Sequence, residues 1–153
     1  MNNHDFVLDA MRHMGKSIAK ELQERAKSMT GTELYAEEDY LPSFALAKAR
    51  VNMQERPVGF LCRSAQGRIV KLLQNYDSEV YPQEPEELPA QWGFFWSTDP
   101  TKALPFVSLS TSPYNTGDCC THEGRVWRSG QDGNVWAPGT TGAKWDDLGP
   151  ALI

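Results

Sequence analysis

The sequence predicts an α+β protein: an N-terminal helical arm followed by two small antiparallel β modules. Three observations predict it. Apolar residues step by three and four from Val7 to Met29, as one face of a helix does. From Pro57 onward the pattern turns to short alternating runs punctuated by Gly, Pro, Asn and Asp. A set of Gly, Pro and Trp landmarks then occurs twice, first across residues 59–92 and again across residues 117–145.

The chain has 153 residues, 40% hydrophobic and 23% charged, which is the composition of a folded globular protein and not of a disordered one. The net charge of −5 argues against a nucleic-acid surface, which needs a basic patch. No apolar run approaches the roughly 20 residues that span a bilayer, so no membrane association is expected. The N-terminus shows no apolar signal-peptide core, and Sec export is not expected. Three cysteines, Cys62, Cys119 and Cys120, are an odd number with two adjacent. They read as free thiols filling apolar space and not as a disulfide framework. Cys119, Cys120 and His122 match no usual structural zinc spacing.

Residues 1–56 form the expected arm. Val7, Met11, Met14, Ile18, Leu22, Ala26 and Met29 make the stripe of one long helix from Met1 to about Thr30, with Asn2 or Asn3 as cap and Gly31 as its C-terminal stop. Two readings stay open: a helix packed on its own domain, or an oligomerisation helix through residues 1–30. Thr32 to Tyr40 reads as a short acidic helical turn or loop whose Glu37, Glu38 and Asp39 point different ways and form a solvated face. Pro42 starts a second helix, Ser43 to about Val51, with Phe44, Leu46 and Ala47 on its apolar side.

Residues 57–111 form the first expected β module. Val58–Arg63 is a strand with Phe60 and Cys62 on one face. Ala65-Gln66-Gly67 turns it, and Arg68–Gln74 returns, with Val70 and Leu72 on one face and Ile69, Lys71 and Leu73 on the other. Tyr81–Pro89 is an extended Pro- and Glu-rich loop leading to Trp92 and the run Gly93-Phe94-Phe95-Trp96. Phe106–Ser110 is a candidate strand shared with the next module.

Residues 112–153 form the second. Gly117-Asp118 make a turn. Cys120 and His122, two apart, share a strand face. Glu123-Gly124 is a hairpin turn. Trp127 lies opposite Val126 and Arg128 on the return strand. Asn134, Pro138 and Gly139 punctuate a loop, and Trp145 closes the unit. So short a module gains stability from large rings, which bury roughly 150–250 Å² each.

Tyr114, Gly117-Asp118, Cys120, His122, Gly124, Trp127, Asn134, Pro138 and Trp145 follow a spacing that resembles the type-3 chitin-binding domain, carbohydrate-binding module family 5/12. Members that grip crystalline polysaccharide carry exposed aromatics three or four residues after the Trp127 position. This chain has Gly130 and Gln131 there, and Trp136 is the candidate substitute.

No G-x-S-x-G, phosphate-binding Gly loop or nucleophile–base arrangement occurs, so an enzyme is not expected and no cofactor is implied. His4 and His13 sit on the first helix, where an exposed or interface role is expected. The candidate ligand-binding residues are Trp136, Trp127, Tyr114, His122 and Trp96, because rigid aromatic faces stack on sugar rings at low entropic cost. Trp127 and Trp145 read as the most structural of the rings, and Trp136 as the most exposed.

A long helix ahead of such a module resembles small phage or prophage tail-associated proteins. The resemblance implies a non-catalytic, virion-associated protein that recognises a cell-surface or wall polysaccharide. It would lie in the host cytoplasm during assembly and in the tail thereafter. The alternative is a structural tail adaptor that oligomerises through its first helix and binds another tail protein. A targeting module cut from a polysaccharide hydrolase is a third reading, weakened by the lack of a catalytic-sized domain.

Overall fold

A computed structural model describes the backbone of residues 3–151, with side chains from residue 16 onward and those of Ala10 and Met14. Val7, Met11, His4 and His13 therefore lie outside the described side chains. The fold is α+β, with helices first and then two sheets.

Helix α1 runs Asn3–Arg25 and ends in a 3-10 turn, Ala26–Ser28. It stops short of Thr30 because Thr30 belongs to the next helix, α2 (Gly31–Ala36). The Thr30 hydroxyl accepts from the Glu33 N–H while the Glu33 carboxylate accepts from the Thr30 N–H, a reciprocal cap. Gly31 is thus a helix start and not the expected stop. Its small size serves packing, since a Cβ there would collide with the Trp96 carbonyl oxygen. The acidic segment is only partly a solvated face: Leu34 and Tyr35 of α2 are buried, while Glu37 pairs with Arg25 and Glu38 with Lys102.

Helix α3 runs Phe44–Arg50 with Ser43 as N-cap, its hydroxyl accepting from the Leu46 N–H. Phe44 and Ala47, three apart, are buried. Leu46, expected on the same side, is 59% exposed because a two-residue step crosses to the other face.

The first sheet is a meander of β1 (Leu61–Arg63), β2 (Ile69–Leu72) and β3 (Trp92–Phe94). It is buried on both faces. Cys62, Val70 and Leu72 join Phe44, Tyr76 and Trp92 on one side. Leu61 and Ile69 join Leu22, Leu34, Tyr35 and Leu41 on the other. Leu73, expected to extend the strand pattern, lies beyond β2 and is half-exposed. The second sheet has the order β4 (Leu104–Pro105), β5 (Cys119–His122), β6 (Arg125–Ser129) and β7 (Trp145–Pro150). The strand between the modules is β4 and not Phe106–Ser110. It runs parallel to β5, and Phe106 contributes one further bond from its N–H to the Thr121 carbonyl.

The two meanders share one register. Leu61↔Lys71 and Cys62↔Val70 have their counterparts in Cys119↔Arg128 and Cys120↔Trp127. Leu72↔Trp92 corresponds to Ser129↔Trp145. Gly59 and Gly117, at φ 98° and 97°, each donate an N–H to the last residue of the return strand, Leu72 and Ser129. The correspondence extends upstream. A 3-10 turn at Glu38–Tyr40 precedes Leu41-Pro42-Ser43, where Ser43 bridges β1 in parallel. A 3-10 turn at Pro100–Lys102 precedes β4, which runs parallel to β5. Phe44 stands edge-on to Trp92 at 5.6 Å and 88°, and Phe106 edge-on to Trp145 at 6.0 Å and 87°. The chain is therefore built from two copies of one unit, starting near residues 38 and 100.

The expected boundaries at 56/57 and 111/112 do not divide the core. One apolar cluster holds Phe44 and Ala47 of α3, the first sheet, and Tyr114 and Cys120 of the second. Arg68, its side chain 3% exposed, pairs with Glu86 of its own unit at 3.3 Å and ties the units by donation to the Pro105 carbonyl.

Candidate functional site

The rings of the second unit converge on the β5–β6–β7 face that carries Cys120, Trp127 and Asp147. The Glu123-Gly124 turn takes φ 50° and 76°, the left-handed pair that a two-residue hairpin needs, and so sets His122 opposite Arg125. A bulge between Val126 and Trp127 shifts β7 by one residue and brings Asp147 opposite Trp127.

Tyr114 lies beneath this face with no exposure. Its ring stacks on Trp96 at 4.3 Å and on Phe106 at 5.4 Å, and its hydroxyl accepts from the Val107 N–H. Burial pushes the Tyr114 phenol well above its usual range. Its backbone exchanges two hydrogen bonds with the fully buried Asn134, whose side chain donates to Ser129 Oγ. Trp96 is 8% exposed and donates its Nε1–H to the Ser112 carbonyl. Neither ring offers a face to a ligand. Both were expected there because aromatic residue type does not show which side of a small module a ring fills, and here they fill the seam between the two units.

The other three candidates reach the surface. Trp127 and His122 are half-buried, with the Trp127 Nε1–H donating to the His122 carbonyl at 3.2 Å. The His122 ring stands edge-on to Phe106 at 6.0 Å. Trp136 is 49% exposed, as its Gly/Asn/Pro-rich loop suggests, and its carbonyl accepts from Trp145 Nε1 at 2.8 Å. Trp145 itself is half-buried and edge-on to both Phe106 and Tyr114.

Three members of this face, Phe106, Arg125 and Asp147, carry no signal in the sequence that marks them for it. Phe106 bridges Tyr114, His122 and Trp145. Arg125 donates Nε–H to both oxygens of Asp147 at 2.8–2.9 Å, and that bond holds the Asp147 carboxyl below its usual range. The Arg125–Asp147 pairing depends on the bulged register, for which the sequence carries no local signal. The result is a half-open aromatic face with Trp136 at its rim and a charged pair at its hairpin end.

The three cysteines are free and buried, and burial raises the Cys120 thiol to about 12, so it stays protonated and packs as a small apolar group. Among the described residues no group of three or more His, Cys, Asp and Glu is placed to hold a metal ion. No helix among them is long and apolar enough to cross a membrane. Comparison with protein-family models, with curated proteins and with solved structures finds no match to this chain.

Proposed function

We propose that the chain is a non-catalytic carbohydrate-binding protein that recognises a surface or wall polysaccharide through the aromatic face of its second unit. The observation that carries this reading is the contrast between equivalent faces. In the first unit Trp92 and Val70 are fully buried, sealed by Phe44 of α3 and by Tyr76. In the second, Trp145 and Trp127 remain half-buried, and the exposed Trp136 is tied to Trp145 through its backbone carbonyl. Rigid half-exposed rings with a polar pair at their edge suit a sugar, which presents apolar C–H faces and hydroxyls together. The setting that accompanies this reading is a phage tail, as the resemblance to tail-associated proteins implies.

The test is retention on insoluble chitin, cellulose and purified bacterial cell wall, wild type beside Trp136→Ala. Wild type is expected to sediment with at least one polymer and the variant to lose most of that retention. Wild type left in the supernatant with all three would remove the reading for these ligands. Stability of Trp136→Ala should stay within about 0.5 kcal/mol of wild type, because an exposed loop ring contributes little to folding and its carbonyl remains for Trp145.

A second reading, a structural adaptor that oligomerises through α1, is favoured by one observation. Among the described residues, α1 meets the body through its C-terminal end, where Leu22 is buried and Gln23 bonds Leu61, while Met14 is 64% exposed. Light scattering on the intact chain separates the two readings, since a monomer at micromolar concentration would exclude the oligomer.

A further inference from the structure

A concave site lies on the first unit, with no lining residue in common with the aromatic face. It is a 480 Å³ cleft between α1, the 3-10 turn Glu38–Tyr40 and the approach to β1, lined by Lys20, Gln23, Asp39, Tyr40, Arg56 and Phe60 among others. Arg56 is held in place from two sides. Its guanidinium lies over the Phe60 ring at 4.4 Å, and Nη2 donates to the Ala47 carbonyl at the end of α3 at 2.9 Å. Nε is buried without a partner. Nη1 has no hydrogen bond among the described residues and is not sealed from solvent.

Arg25, Arg68 and Arg125 each have a carboxylate, Glu37, Glu86 and Asp147. Arg63, whose Nε is likewise buried without a partner, and Arg128, which donates to the Thr98 carbonyl, have none among the described residues. Of the arginines without one, Arg56 is the one that lines a cleft with a second cation. Arg56 has none within ion-pair distance among the described residues, and neither has Lys20. Asp39 shares the cleft but is beyond ion-pair distance of both. Burial, with the neighbouring charge of Arg50, disfavours the Arg56 cation, against a weaker opposing influence of Cys62. A desolvated, immobilised guanidinium without a counter-charge gains most from an incoming anion. Gln23 does not compete, since its amide is committed to the Leu61 backbone at 2.8 and 2.9 Å. Tyr40, 46% exposed, forms an apolar wall with a free rim.

We propose that this cleft is an oxyanion site, taking the carboxylate or phosphate group of a small ligand or of a polymer substituent. Arg56 Nη1 donates to the anion, Lys20 adds charge and Tyr40 packs on the group that carries it. The site is independent of the glycan reading. If that reading holds, acidic glycans are the polymers that would engage both surfaces.

The test is an amide chemical-shift titration of the whole protein with inorganic phosphate, glucuronate and neutral glucose. Shifts are expected at residues 39–41, 56 and 58–60 with phosphate, glucuronate or both, and none there with glucose. The responding anion distinguishes a phosphate from a carboxylate ligand. Arg56→Gln is expected to weaken binding by about tenfold or more, the scale of a charge-assisted hydrogen bond. Lys20→Gln should weaken it less, and added sodium chloride should weaken both wild type and variants. Lys20 is a surface residue of α1, so that variant keeps the test alive if Arg56→Gln loses its contact with α3 and unfolds. Trp136→Ala should bind the anion as wild type does. Shifts scattered over the surface, equal response to glucose, or unchanged affinity in Lys20→Gln and Arg56→Gln would each overturn the proposal.

Discussion

The two copies of the unit share a register and a key ring contact, yet one is closed and the other open. In the first, the segment after Pro42-Ser43 coils into α3, and Phe44 covers Trp92 with Ala47 in the same cluster. In the second, the segment after Leu104-Pro105 stays irregular through Pro113, and only Phe106 reaches Trp145 edge-on before Tyr114 fills the space behind. The composition of the linking segment accounts for the difference. Residues 43–50 carry three alanines behind a serine cap, a sequence that favours helix. Residues 106–113 carry three serines, a threonine, a valine and a proline, which favour extended chain. One scaffold thus serves as a packing module where a helix seals it and as a surface where no helix does.

The largest test of this contrast is truncation of the equivalent tryptophans. Trp92→Ala removes a fully buried ring and should cost about 3–5 kcal/mol, whereas Trp145→Ala, half-open, should cost about 1–2 kcal/mol. Urea midpoints of the two variants measure this directly, and equal losses would mean that the second face is as closed as the first.

The charged pairs offer the next test. Glu86→Gln leaves Arg68 buried, with its Nε already lacking a partner, and should cost about 3 kcal/mol. Asp147→Asn breaks an exposed pair and should cost under about 1 kcal/mol. Both variants should unfold in one transition by fluorescence and by circular dichroism, because a single cluster spans the two units. Two separated transitions would break the claim of a shared core.

The smallest effect concerns Asp118, which stands where the first unit has the buried Phe60. Burial, with Asp132 nearby, raises the Asp118 carboxyl, and the Asn115 N–H only partly offsets it. A raised folded value means that the folded state holds the proton more tightly than the unfolded state. Its contribution to stability therefore falls as pH climbs from the ordinary value of 3.8 through the folded value, and is level above that. Asp118→Asn keeps an oxygen for the Asn115 N–H and removes the titration. The variant should gain on wild type as pH rises across that window, and a constant difference would show that the carboxyl is not strained.

Much of the frame was legible locally. Glu123-Gly124 announces a hairpin, Pro42 the neighbourhood of a helix start, though the cap itself is Ser43, and the Gly59/Gly117, Gly67/Gly124 and Trp92/Trp145 landmarks a repeat, because turns and caps depend on a few adjacent residues. The upstream part of the repeat was not legible: Pro42-Ser43 and Leu104-Pro105 share no residue at matching positions, and only their parallel placement against β1 and β5 equates them. Of the candidate residues, the exposure of Trp136 was legible from its loop composition. Trp96 and Tyr114 were misplaced to the surface, since a ring in a short strand or loop fits either side until its neighbours are known.

The sequence by itself determined the hairpin turns, the first helix and α3, and that aromatic rings rather than aliphatic chains would fill the second unit. These follow from backbone preference and side-chain size, which act over a few residues. Only the tertiary structure decided that Gly31 lies against Trp96, that Tyr114 goes inward and Trp136 outward, that Arg125 meets Asp147, and that Arg56 is left without a carboxylate. Each of those depends on burial and pairing between residues far apart in the chain, where space and the need to satisfy buried polar groups select one arrangement from many that the local sequence allows.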